Sequence, residues 1–194
     1  MRLFVALTPP EDVVEHLDAF LDPRRDTPAP LRWSPPEQWH VTLAFMPSVP
    51  DHVVDDLVAG LEVLATHHSP DEISVGGGGC FPDVTRARVV WAGIRGGSSL
   101  ASLARGARSA AANIGAAPEG GAFVPHLTLA RLGRPTDATR WVRVLDAYAG
   151  PAWLVDEVAL VESHLPREKA HRPRHQVLAR LPLLGQEASP ALRR

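Results

Sequence analysis

The chain has 194 residues, of which 45% are hydrophobic and 22% are charged, and its formal net charge is −2 at pH 7. These values are ordinary for a soluble globular protein, and they exclude a global field that would draw the chain to nucleic acid or a membrane. A single cysteine, Cys80, excludes an internal disulfide framework and fits a reducing compartment. The N-terminal apolar run is too short for a signal peptide, and no run approaches the roughly 20 residues that span a bilayer. We therefore expect a soluble, cytoplasmic protein.

Hydrophobic spacing and the positions of proline and glycine predict alternating strands and helices along the chain. In chain order, the predicted elements are a strand at 3–9, a helix at 10–21, a proline-rich loop at 22–37, a strand at 38–45, a helix at 51–68, a strand pair at 71–82 and 86–94, a helix at 98–116, a strand at 125–132, a helix at 136–150, a long strand at 152–165, a polar basic loop at 166–175 and a last strand from 175 to 183. Residues 185–194 have little to bury, and we expect a disordered tail there.

Two units of this pattern follow one another. A strand, a helix, another strand and a helix precede one strand pair, and a helix, a strand and a helix precede a second pair. This order indicates an internal duplication at the level of structure. It predicts an α+β fold with two lobes, each with an antiparallel sheet backed by helices, which a pseudo-twofold axis would place around a central cleft.

The same four-residue motif, with His first, Thr third and Leu fourth, occurs in both units, as "HVTL" at 40–43 and "HLTL" at 126–129. Successive side chains of a strand point to opposite faces, so His and Thr of each motif share one face. If the lobes are related by a twofold axis, the two faces meet across the cleft. Two imidazoles and two hydroxyls would then surround one bound group.

This set of side chains suits acid–base attack on a phosphodiester. The unperturbed pKa of histidine, about 6.5, allows one neutral and one protonated imidazole near neutral pH. The neutral imidazole takes a proton from the nucleophile, the protonated one gives a proton to the leaving oxygen, and the threonine hydroxyls donate to phosphate oxygens. Neither motif holds a third metal ligand, so we expect no metal and no cofactor. Two structural histidines beside solvent-facing threonines are the less favoured alternative.

The surroundings of both motifs resemble the 2H phosphoesterase superfamily, and within it the RNA 2′,3′-cyclic phosphodiesterase family, also called bacterial 2′-5′ RNA ligase-like. The resemblance covers about residues 1–184 and rests on "RLFVALTPPEDV", "RWSPPEQWHVTLAFMP", "RARVVWAGI", "FVPHLTLARLG" and "VLARLPL". It implies a single bilobal domain over residues 1–184. The expected substrates are RNA 3′ ends or nucleotides that carry a 2′,3′-cyclic phosphate, and we expect the protein to act as a monomer without membrane contact.

The resemblance implies a metal-independent hydrolase that opens the cyclic phosphate to a 2′-phosphate. It suggests His40 as the proton donor and His126 as the proton acceptor, although the residues alone leave these roles open. Thr42 and Thr128 are expected to bind the phosphate, together with Arg131, which matches a family arginine after the second motif. Strict alternation would point Arg131 away from the cleft unless the strand ends or twists there.

Two other reactions and one binding role stay open as alternatives. The same cleft could join or cleave 2′-5′ linkages or hydrolyse a small cyclic nucleotide, and a nucleotide-binding module without catalysis is the third possibility.

His175 stands where family members commonly have a tyrosine, which predicts different stacking of the terminal base. Further candidates for contact with substrate are the following side chains: Trp33, Phe45, Phe81, His164 and His171.

Overall fold

The computed structural model describes residues 1–26, 31–165 and 173–185. Within these ranges the helices are α1 (Glu11–Arg25), α2 (Val54–Thr66), α3 (Leu100–Asn113) and α4 (Thr139–Asp146). The strands of the same ranges are β1 (Leu3–Leu7), β2 (Leu31–Trp33), β3 (Val41–Met46), β4 (Asp71–Phe81), β5 (Ala87–Gly96), β6 (His126–Thr136), β7 (Ala149–Val155), β8 (Glu157–His164) and β9 (Arg174–Pro182). The expected tail beyond residue 185 and most of the basic loop, 166–172, lie outside the described residues.

Two element predictions were wrong in detail. The loop predicted at 22–37 contains the last turn of α1, with Pro23 inside the helix, and the short strand β2. The long strand predicted at 152–165 is two strands, because the chain leaves one sheet edge at Val155 and joins the opposite half of the sheet after Asp156. The polar pair Asp156-Glu157 stands at this break, but the pairing partners of the two strands are decided by distant segments.

Two helix boundaries follow from local chemistry. Pro10 precedes α1, and its carbonyl accepts the Val14 N–H at 3.1 Å, so the helix begins where proline needs no donor. Gly115 follows α3 with φ of +78°, a left-handed conformation that ends helices at low cost for glycine.

All nine of these strands belong to one continuous sheet with antiparallel pairing, which confirms the α+β class. The order is β7-β4-β5-β6-β3-β1-β8-β9, and β2 pairs with β6. We call β7, β4, β5, β6 and β2 the second half sheet, and β3, β1, β8 and β9 the first half sheet. The two halves join only at one bridge, between Val41 of β3 and Leu127 of β6. The two separate sheets expected from the sequence are therefore one sheet with a narrow junction.

The half sheets do not follow the order of the chain. The strand pair β4–β5 follows the first motif in sequence but belongs to the half that carries the second motif. The pair β8–β9 follows the second motif but joins the half that carries the first. The first half therefore combines strands from both ends of the chain, and the second half combines β2 with the strands from β4 to β7.

The helices cover one face of the sheet. α2 and α3 contact strands of the first half, while α1 and α4 contact strands of the second. Fully buried leucines from both layers form the main core, including Leu17, Leu43, Leu61, Leu103 and Leu127. The opposite face of the sheet carries Phe4, His40, Thr42, His126 and Thr128, and we call it the open face. No helix of the described ranges is both long enough and apolar enough to cross a membrane.

Candidate active site

The two motifs meet at the junction of the half sheets. Val41 and Leu127, each the second residue of its motif, are paired antiparallel. A local twofold axis through such a pair exchanges residues at equal offsets along the two strands. It therefore exchanges His40 with His126 and Thr42 with Thr128, which brings together the four side chains that the sequence singled out.

Alternation along each strand sends these side chains to the open face. Val41 and Leu43 are at most 1% exposed and lie in the core, whereas His40 and Thr42 are half-buried. The second motif shows the same alternation, with its leucines buried and with His126 and Thr128 half-buried. The faces predicted from the period of two are confirmed at both motifs.

A bulge follows each threonine. β1 pairs Ala6 with Thr42 and Val5 with Ala44, so Leu43 is an extra residue in β3. In β6 the equivalent extra residue is Leu129, because β5 pairs Trp91 with Thr128 and Val90 with Ala130. A bulge of one residue reverses the alternation beyond it.

The bulge at Leu129 turns Arg131 toward the open face. Ala130 and Leu132 are buried while Arg131 is exposed, which shows that the parity has changed after Thr128. The positive charge of Arg131 lowers the pKa of both motif histidines, although burial is the larger cause in each case. Arg131 therefore lies within electrostatic reach of both imidazoles, and the strict alternation that would have pointed it away does not hold.

Both imidazoles are held in the same way by their own chain. His40 Nδ1 lies 2.7 Å from the carbonyl oxygen of Gln38, and His126 Nδ1 lies 2.7 Å from that of Val124. A carbonyl oxygen only accepts, so each Nδ1 carries the hydrogen and donates it. In the neutral ring, Nε2 is then the unprotonated nitrogen. Each motif thus presents one basic Nε2 and fixes the ring by a bond to the residue two positions earlier.

Burial shifts both rings toward the neutral form. It lowers the pKa of His40 from 6.5 to about 4, with smaller contributions from the nearby charges of His175, His126 and Arg131, while the bond to Gln38 opposes the shift. Burial also lowers the pKa of His126, and Arg131 adds to this effect against the bond to Val124. The unperturbed pKa assumed from the sequence is therefore wrong for the free protein, in which both imidazoles are neutral near pH 7.

Aromatic rings flank each histidine. Phe4 stacks on His40 with ring centroids 4.6 Å apart, and His175 meets both rings edge-on at 5.1 and 5.5 Å. His126 lies 5.0 Å from Phe81 and 5.7 Å from Trp91. These contacts limit the motion of the imidazoles and keep water from much of their surface.

Phe4 and Trp91 were not among the residues selected from the sequence. The predicted first strand contained Phe4, and alternation alone gave its face relative to Ala6. Which neighbour that face would meet depends on the pairing of β1 with β3, across some 40 residues. No local signal in the sequence carries that pairing.

The remaining candidates divide between the cleft and other places. Phe81 and His175 lie beside the motif histidines, and Phe45 packs against the apolar side chains of the open face. Trp33 packs edge-on against Trp141 at 5.2 Å and lies against the main core, on the other face of the sheet from the motif histidines. His164 lies 3.3 Å from Glu162 at the end of β8. His171 lies outside the described residues.

The motif residues form an open cleft and line neither of two nearby hollows. A hollow of about 320 Å³ beside Pro9 and Trp153 and one of about 450 Å³ between α2 and α3 contain no motif residue. Within the described parts of the chain, no three His, Cys, Asp or Glu side chains group as ligands for a metal ion.

Comparison with known proteins agrees with this arrangement. Residues 8–167 match the family model of the 2′-5′ RNA ligase superfamily. An RNA 2′,3′-cyclic phosphodiesterase of Thermus thermophilus is 32% identical over 195 residues, covering 96% of this chain and 92% of the relative. One from Geobacillus stearothermophilus is 28% identical over 155 residues, which are 79% of this chain but only 48% of that protein. The crystal structure of Escherichia coli LigT complexed with 3′-AMP superposes with a TM-score of 0.72 at 26% identity, over 94% of this chain and 97% of the other.

Proposed function

Because this chain belongs to the 2′-5′ RNA ligase superfamily, we propose that it opens the terminal 2′,3′-cyclic phosphate of RNA to a 2′-phosphate. Relatives that align over most of this chain bear the name RNA 2′,3′-cyclic phosphodiesterase. The observation that carries the proposal is the symmetric presentation of two Nε2 atoms. Both Nδ1 atoms donate to backbone carbonyls, and both rings share the open face about the Val41–Leu127 pair.

The proposed reaction transfers two protons on opposite sides of one phosphorus atom. His126 Nε2 takes a proton from water as the water oxygen bonds to phosphorus. The bond between phosphorus and the 3′ oxygen breaks, and His40 Nε2 gives its proton to that oxygen. The products are a free 3′ hydroxyl and a 2′-phosphate. His126 then releases its proton to solvent, and His40 takes up a proton again when the next substrate binds.

The bound substrate supplies the charge that a proton donor needs. In the free protein burial holds the pKa of His40 at about 4, so the ring is neutral. The cyclic phosphate carries one negative charge, and an opposite charge close to an imidazole raises its pKa. A histidine that becomes protonated mainly in the complex holds its proton where the leaving oxygen can take it.

Arg131, Thr42 and Thr128 are proposed to hold the phosphate. The guanidinium offers paired donors to two oxygens, and its charge favours an anion between the two imidazoles. Each threonine hydroxyl, on the face of its own histidine, can donate to a non-bridging oxygen as charge develops there. Both motifs come from one chain, so we propose that one copy acts alone, and the single cysteine supports the proposal that it acts in the cytoplasm.

The experiment that tests this function uses an oligonucleotide ending in 2′,3′-cyclic phosphate, incubated with purified protein in the presence of a chelator. We expect a 2′-phosphate product, identified by its position on the ribose. His40→Ala and His126→Ala should each lower kcat by at least 1000-fold. The double variant should lose little more, because groups that act as one unit are not additive.

His52→Ala is the matched control, since His52 is exposed at the start of the segment that leads into α2. This variant should retain the wild-type rate. Full activity after removal of either motif histidine would overturn the two-imidazole mechanism. A chelator-sensitive rate restored by a divalent metal would replace the metal-free reaction, and a joined 2′-5′ product would assign ligation.

A further inference from the structure

The second half sheet carries an arginine on the open face that the proposed reaction does not use. Trp91, Gly93 and Arg95 alternate along β5 with the buried Ala92, so they all lie on the open face. Gly93 pairs with His126 of the second motif. Arg95 therefore lies two residues beyond Gly93 on the same face, near the C-terminal end of β5. Arg131 pairs with Val89, near the other end of this strand.

Two glycines let the Arg95 side chain lie against the sheet. A Cβ placed on Gly76 of β4 would lie 2.7 Å from Arg95 Nε and 3.0 Å from Cζ, so the side chain rests directly on this glycine. A Cβ on Gly93 would lie 2.9 Å from the carbonyl oxygen of Gly76. We call the surface formed by Gly76 and Gly93 the glycine floor, because neither residue contributes a side chain to it. The Arg95 side chain lies on Gly76, and Gly93 pairs with His126.

Within the described residues, Arg95 has no carboxylate in direct contact. The side chain is exposed, and it makes no ion pair within 4.0 Å with any acid of residues 1–26, 31–165 and 173–185. Asp146 is the nearby acid. Its Oδ1 already accepts the Gly78 N–H at 3.2 Å. The guanidinium is therefore available to an anion that crosses the glycine floor.

The first half sheet has no arginine at the position equivalent to Arg95. The residues paired with the two motif threonines are Ala6 in β1 and Trp91 in β5. Four residues farther along each segment stand Pro10 and Arg95. The duplication that makes the two motifs equivalent is therefore broken at this position.

We propose that Arg95 and the glycine floor bind the phosphodiester that joins the terminal nucleotide of RNA to the nucleotide before it. The inference rests on the proposed function, which places the cyclic phosphate between the two motif histidines. From that position the strand continues through the 5′ oxygen of the same ribose to a second anionic group. β5, which carries Arg95, is the direct neighbour of β6, roughly 5 Å away, so the arginine lies within the span of one nucleotide from the motif strand. A guanidinium recognises such a group with paired donors, and glycine lets a nucleic-acid backbone approach closely.

The test compares two substrates that differ only in this group: adenosine 2′,3′-cyclic phosphate, and a dinucleotide with adenosine 2′,3′-cyclic phosphate at its 3′ end. We expect the wild-type protein to have the higher kcat/KM on the dinucleotide. Arg95→Ala should lower the ratio of the two kcat/KM values roughly tenfold, the size of one lost hydrogen-bonded charge contact. It should also reduce the salt dependence of dinucleotide binding by about one ion.

A second variant removes the geometry and keeps the charge. Gly76→Ala places a methyl group where the Arg95 side chain lies, and the three nearest atoms all belong to Arg95. The ratio should fall in this variant also. Two matched controls should leave it unchanged: Arg105→Ala, an exposed arginine of α3, and Gly120→Ala, where a Cβ would meet no atom within 4 Å.

The outcomes separate this inference from the proposed function. If the wild-type protein opens neither substrate, the proposed function itself fails. If it opens both and the ratio is the same in wild type, Arg95→Ala and Gly76→Ala, the proposed function stands and the phosphodiester subsite is refuted. A ratio that falls equally in Arg105→Ala would indicate a general charge effect and would also refute the subsite.

Discussion

Replacement of His40 by Asn should make the protein more resistant to acid, even though it removes a proposed catalytic group. Burial lowers the pKa of His40 to about 4 in the folded protein, whereas the unfolded chain has the ordinary value of 6.5. Between these values the unfolded chain binds a proton that the folded protein does not bind. The free energy of unfolding therefore falls as the pH drops from 6.5 to 4, and the contribution of the neutral ring is complete only above 6.5.

The size of the effect follows from the shift of about 2.5 pH units. At about 1.4 kcal/mol per unit, acidification to pH 4 costs the wild-type protein about 3 kcal/mol through His40 alone. Asn keeps an amide N–H near the position of Nδ1, where it can still donate to the Gln38 carbonyl. For other reasons His40→Asn should also have a lower free energy of unfolding than the wild type, by an amount that is similar at every pH. The variant should lack only the loss of stability on acidification that His40 causes.

The assay is urea unfolding of wild type and His40→Asn at several pH values between 8 and 4. The difference in unfolding free energy between the two proteins should move in favour of the variant by about 3 kcal/mol over this range. His52→Asn, at an exposed position, serves as the control and should follow the wild type. A difference in unfolding free energy that stays constant from pH 8 to pH 4 would show that His40 titrates normally. It would refute the conclusion that the ring is buried and neutral.

Three further outcomes are expected. Thr42→Ala and Thr128→Ala should each lower kcat by roughly 10- to 1000-fold, less than either histidine change, and an unchanged rate in single-turnover assays would mean that the hydroxyl does not meet the phosphate. The pH optimum of kcat should lie above that of kcat/KM, because the bound anion raises the pKa of both imidazoles; coincident optima in steady-state profiles would contradict this. Gly79→Ala should destabilise the fold by roughly 1–3 kcal/mol in urea unfolding, because the new methyl group would overlap the Trp91 ring, and wild-type stability would exclude that packing.

The four motif side chains and their faces were predictable from the sequence. Alternation along a strand is a local property, so His40 and Thr42 had to share a face whatever their strand was paired with. The repeat of the motif after 86 residues indicated that two such faces act together. The α+β class followed from hydrophobic spacing for a similar reason, because the spacing reflects which side of each element is buried.

Pairing decided what lies around those side chains. β4 and β5 follow the first motif in the chain but pair beside the second, because an antiparallel strand is placed by hydrogen bonds to distant segments and not by its neighbours in sequence. The aromatic rings that flank each histidine result from that placement. So does the approach of Arg95 to the motif strand, across a floor formed by glycines of two different strands.

Arg131 is the clearest example of the difference between what the sequence predicts and what strand pairing decides. Its residue type and its position after the second motif were visible in the sequence, but strict alternation pointed it away from the cleft. The bulge at Leu129 reverses the alternation, and a bulge exists only relative to the partner strand. The pKa of His40 is decided in the same way, since desolvation depends on atoms that pack against the ring from Phe4 and other distant segments. The sequence by itself determined which groups are present and on which face each motif carries them. Tertiary packing decided the neighbours of these groups, their charge state and the direction of Arg131, because those depend on contacts between residues far apart in the chain.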